Sequence, residues 1–173
     1  MKLDASLVEE AIEFLGFNRQ GTIGEAANIP DERWDYRPHP KARSVEELVR
    51  HMIQATAMLI GEACDPDGDF QRRPPQDHVQ AHAPDLADDM SPDALRQALS
   101  DSYDDAIAKI RAAGPDIMGR SIRRFDGGTW ARIMYVFHAG SHEDYHRGQL
   151  AMYAREMGLI PALTQRIWGD EAE

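Results

Sequence analysis

The sequence predicts an all-α protein, a four-helix bundle with long crossover loops. Three observations carry that expectation. Four stretches repeat apolar residues at three- and four-residue spacing, start and stop signals flank them, and almost nothing alternates with the two-residue period of a strand. Facing helices that each bury one stripe are the economical way to close such a chain. At 173 residues it is expected to form one domain, with a core large enough to need no disulfide.

The first helix is expected over about 4–28. Leu7, Val8, Ala11, Ile12, Phe14 and Leu15 set its stripe, and Ser6 with Glu9 offers a capping box. Ile23 and Ala26 continue the stripe past Gly16 and Gly21, each of which costs about 1 kcal/mol in a helix. Ile29-Pro30 ends it. The segment from Asp31 to Arg43, with Trp34, Tyr36, Pro38 and Pro40, reads as an ordered loop in which His39 is exposed.

Ser44-Val-Glu-Glu47 is a capping box that opens a second helix over about 44–64, with Val45, Leu48, Val49, Met52, Ile53, Leu59 and Ile60 on its apolar side. His51 sits at the edge of that stripe and is expected to point inward. From Asp65 to Met90 the composition, rich in proline and aspartate, reads as a long crossover loop. It contains His78 and His82 at helical spacing, but no apolar stripe supports a helix or a metal site there.

Ser91-Pro92 starts a third helix, expected over 91–113 and stopped by Gly114-Pro115. Ser121 to Phe125 reads as briefly extended before the Asp126-Gly127-Gly128 turn, and Thr129 as the cap of a fourth helix over 129–158. The remaining tail is long enough to pack back on the bundle before its acidic end.

A formal charge of −11 argues against a nucleic-acid partner, whose phosphates demand clustered Lys and Arg. The short basic runs at Arg72-Arg73 and Arg120 to Arg124 read as solvated loop charges. No apolar run reaches the length of a membrane helix, and the N-terminus lacks the pattern of a signal peptide, so a cytoplasmic protein is expected. The single cysteine, Cys64, can form no intrachain disulfide; its apolar surroundings make it a packed thiol rather than a nucleophile.

The chemistry concentrates in the fourth helix, where His138, His142 and His146 follow one another at four-residue spacing. Each such step turns the helix by only about 40° and climbs about 6 Å, so neighbours share a face and can chelate one ion. His138 and His146 are about 12 Å apart along the axis, too far for both to reach it. One pair must be chosen, and geometry alone leaves the choice open. A third imidazole, His51, would come from the second helix if the two helices face each other, and three protein ligands with an open position mark a catalytic metal. Gly148 points to close approach of a neighbour beside the site. No general base stands out, since Glu143 and Asp144 lie about 100° and 200° round the helix from His142.

Ser44-Val-Glu-Glu-Leu-Val-Arg-His51 together with His142-Glu-Asp-Tyr-His146-Arg-Gly-Gln149 resembles the DinB family of DinB/YfiT-like metalloenzymes. The Arg37-Pro38 loop and the Leu159 to Leu163 segment share the resemblance. It implies His51, His142 and His146 as metal ligands, leaving His138 beside the site or in the core. It also implies a divalent ion, nickel or zinc, and frequent homodimers. The activity it implies is metal-dependent chemistry with a low-molecular-weight thiol and an electrophilic substrate, of S-transferase or isomerase type. A non-catalytic metal-binding stress-response protein is the alternative.

Overall fold

A computed structural model describes residues 3–169. The acidic end expected after the tail lies outside the described residues. The fold is mostly helical: six α-helices and one two-stranded antiparallel sheet among the described residues. Four long helices, α1 (Ala5–Asn28), α2 (Val45–Cys64), α4 (Pro92–Met118) and α5 (Ile133–Glu156), pack so that α1 and α2 each touch both α4 and α5. Two short helices, α3 (Pro75–His82) and α6 (Ala162–Trp168), lie against α2 and α1.

Apolar burial divides into two regions along the helices. One gathers Leu15, Ile60, Ile110, Met118 and Val136; the other gathers Ile29, Leu48, Met52, Leu99 and Leu150. Between them a buried ion pair joins the long helices. Arg19 of α1 donates to Glu143 of α5 at 2.6 Å, both side chains fully buried. Thr56 of α2 donates to the same carboxylate oxygen at 2.8 Å, while Arg19 also donates to Ser102 Oγ and to the Leu99 carbonyl of α4. One charged network therefore touches all four long helices, and the register of each against the others depends on it.

Several boundaries differ from expectation for local reasons. Asp4, not Ser6, caps α1, its carboxylate accepting the Ser6 N–H at 3.0 Å. The capping box at Ser44 and Glu47 forms as expected, as does the Ser91 cap with Pro92 behind it. The third long helix does break at Gly114, where φ is 64°, but one further turn follows to Met118. Residues 121–123 pair with 129–131, so Thr129 belongs to a strand and α5 begins only at Ile133, with no side-chain cap. Arg132, just before it, is 3% exposed and donates to the carbonyls of Ala63, Pro66 and Gly68, which ties the C-terminal end of α2 to the start of α5.

The crossover is the largest departure, because it contains α3. This helix has almost no apolar face of its own. Glu62 of α2, fully buried, meets His78 Nδ1 at 3.0 Å and His82 Nε2 at 2.8 Å, and Arg72 Nε lies 2.7 Å from its other oxygen. The four-residue spacing of the two histidines brings both rings onto one carboxylate here. A Cβ at Gly61 would stand 2.5 Å from the His82 ring, so glycine is what lets α3 lie this close. The desolvation that raises the Glu62 pKa is outweighed by hydrogen bonds from the Asp69 N–H, His82, Arg72 and His78, which hold its carboxyl below the ordinary range. Glu62→Ala is expected to release the crossover: limited proteolysis should cut within residues 71–90 at least ten times faster than in wild type, and an unchanged rate would refute this role of Glu62.

Candidate metal centre

The capping box fixes the start of α2, and His51 lies seven residues after Ser44, on the side that turns toward α5. On α5, His142 and His146 lie one turn apart and face it. The ring nitrogens converge: His142 Nε2 lies 3.2 Å from His51 Nε2 and 3.1 Å from His146 Nε2. All three residues offer a ligand atom within 4.8 Å of the others, the only such group of three or more among the described residues. Ring centroids are 4.4–5.0 Å apart and the planes are steeply inclined, so the rings approach edge to face rather than stack.

The donor set fits a divalent ion. Ligand nitrogens held by bonds of about 2.0–2.1 Å at angles between square and tetrahedral lie about 2.8–3.4 Å apart, which brackets both contacts to His142. His146 Nδ1 donates to Gln149 Oε1 at 2.7 Å, so its Nε2 carries the lone pair and its ring is held in place. The motif's glutamine thus has a defined task. His142 Nδ1 is buried without a partner.

Electrostatics keep the rings neutral, the form in which imidazole can ligate. Burial lowers the His51 pKa to about 4, with the Arg43 charge and His146 adding to it. Burial takes His142 down to about 3, with His146, His51, His138 and the Arg43 charge adding to the shift. Burial also lowers His146, against the opposing pull of Gln149. The unfolded chain, with imidazoles near the ordinary 6.5, then binds more protons than the folded one between about pH 4 and 6.5. The metal-free protein is therefore expected to lose stability as pH falls through that window. Urea unfolding at pH 7, 5.5 and 4.5 measures this loss, and a His51→Ala/His142→Ala variant should show a shallower slope.

The other candidates lie outside the three-histidine group. His138 is exposed and stands edge-on to Trp130 and Tyr135, so it is neither a core residue nor part of the cluster. His39 is exposed, as expected. Gly148 faces open space: nothing lies within 4 Å of a Cβ built there, and the close approach expected from it does not occur. Cys64 is held as a thiol, its pKa pushed up to about 12 by burial. Sequence reasoning passed over Arg19 and weighed Glu143 only as a general base, not as half of a buried ion pair. The one available signal was an acidic residue directly after a ligand histidine, which helical geometry turns away from the site and into the space between the helices.

Comparison with known proteins bears on the family and the fold. The family model described as the DinB family matches residues 4–172. The uncharacterised protein YjoA of Bacillus subtilis (strain 168) is 25% identical over 156 residues, covering 87% of this chain and 92% of its own. The crystal structure of that DinB-like protein superposes with a TM-score of 0.66 at 21% identity, over 86% of this chain and 92% of the other. A mycothiol-dependent maleylpyruvate isomerase superposes with a TM-score of 0.63 at 13% identity, over 83% of this chain and 60% of that larger one. The family match spans nearly the whole chain, and the chain belongs to the DinB family.

Proposed function

We propose that this chain is a single-domain four-helix bundle that works as a metal-dependent enzyme with a low-molecular-weight thiol, in S-transferase or isomerase chemistry. His51, His142 and His146 hold the divalent ion, nickel or zinc. The observation that carries the reading is the convergence of three Nε2 atoms from two helices on one point. Similarity in fold to a mycothiol-dependent isomerase supports the thiol. An ion bound there supplies Lewis acidity, lowering the pKa of a thiol or water that reaches the open side. The chain's own residues prepare that position. Gln149 orients His146, burial keeps the imidazoles unprotonated, and the ion pair of Arg19 with Glu143 locks α5 against α1 so that the two α5 rings stay level with His51.

No helix among the described residues is long and apolar enough to cross a membrane. A cytoplasmic homodimer accords with this reading, with Phe17 on α1 and Met134 on α5 exposed. The test is a screen of thiols against electrophiles with zinc- and nickel-loaded protein. Thiol-dependent turnover lost in His146→Ala supports the enzyme. A wild type that binds metal, melts when His146→Ala strips it and never turns over a thiol would instead be the non-catalytic metal-binding protein, since an ion between α2 and α5 also ties the helices together.

A further inference from the structure

Beside the imidazoles runs a groove of about 570 Å³ lined by Arg37, Lys41, Arg43, Glu47, Gln149 and Tyr153. It adjoins the candidate centre through Gln149, whose amide oxygen accepts from His146, and through α2, where Glu47 sits one turn before His51. The loop that forms its other wall is held firmly. Tyr153 donates to the Arg43 carbonyl at 3.2 Å, and Tyr36 anchors the same loop by donating to Glu156 at 2.6 Å.

The charges on that wall do not cancel. Glu47 is engaged twice, by Arg37 at 3.0 Å and by the Ser44 N–H at 2.8 Å, so that pair is neutral as a unit. The side chains of Lys41 and Arg43 are exposed and have no hydrogen-bond or ion-pair partner among the described residues. Arg43 lines the same groove as Gln149, the hydrogen-bond partner of His146. Lys41 and Arg43 therefore leave the groove with an excess of positive charge.

We propose that the groove takes the anionic end of the small molecule whose reactive end reaches the three histidines, with Lys41 and Arg43 holding its carboxylate or phosphate. Guanidinium and ammonium groups on a rigid loop suit either anion, and Gln149 and Tyr153 add polar contacts at the groove floor. This deepens the reading of the triad as a reactive centre and names its substrate class as an anionic small molecule.

The groove can be tested without metal. In the metal-free protein, succinate or inorganic phosphate should shift the amide resonances of Ala42, Arg43 and Ser44 saturably, while the neutral analogue butane-1,4-diol should not. Lys41→Gln/Arg43→Gln should weaken that binding at least tenfold. Equal response to the diol, no saturable shift, or unchanged affinity in the double variant would overturn the proposal. A second arm links groove to centre: zinc-loaded wild type should bind mercaptosuccinate at least tenfold more tightly than 2-mercaptoethanol, and the double variant should lose that preference while keeping its zinc. Equal affinities in wild type overturn the link. Zinc that fails to depend on the histidines sinks the metal reading instead, and the anion titration still reports on the groove.

Discussion

Wild type is expected to bind one equivalent of a divalent ion, and replacing His142 with alanine is expected to remove it. His142 Nε2 is the atom both other imidazoles approach, at 3.2 and 3.1 Å, so its loss leaves His51 and His146 without the ligand between them. Loss of an outer partner of a metal ligand typically costs 10–100-fold in affinity, and loss of a ligand itself should exceed about 100-fold. Equilibrium dialysis against zinc with metal analysis measures it. His138→Ala is the matched control: this histidine is exposed on the same helix, outside the cluster, and its removal should leave the stoichiometry at one. Retention of a full equivalent by His142→Ala would show that the three rings are simply packed together.

The second large effect is expected at the buried ion pair. Arg19→Met or Glu143→Met, each alone, strands one charge in a space from which water is excluded, and breaking such a pair typically costs about 3–5 kcal/mol. Glu143→Met also leaves the Thr56 hydroxyl without its acceptor. The double variant Arg19→Met/Glu143→Met removes both charges and should recover most of the loss, since apolar residues of similar volume often replace a buried pair at little cost. Urea unfolding of the four proteins forms a cycle whose coupling term reads the interaction directly. Single variants within about 1 kcal/mol of wild type would mean that the network does not hold the long helices in register.

Much of the helical framework was legible because its signals are local. The capping box at Ser44 and Glu47, the Ser91-Pro92 start and the stripe of α2 each act within a turn or two of chain, and each formed where the spacing places it. The same locality explains α3. His78 and His82 share a face by spacing, but what holds that helix is Glu62, sixteen residues before His78 and twenty before His82, and no short window around Pro75 contains it. The strand at 129–131 was read as the start of a helix for a similar reason: its partner at 121–123 comes from beyond the intervening turn.

The candidate centre divides along the same line. The sequence by itself determined that neighbouring histidines of the fourth long helix share a face, because a four-residue step is a property of the helix alone. It also carried the family pattern that picks out His51, His142 and His146. Only the tertiary structure decided that α2 lies against α5 with His51 level with His142, that His138 turns out to solvent, and that Glu143 turns inward to meet Arg19 of α1. Those outcomes depend on how whole helices are rotated and shifted against one another. That choice is made by burial summed over many side chains and by one charged network, and no short stretch of sequence contains either.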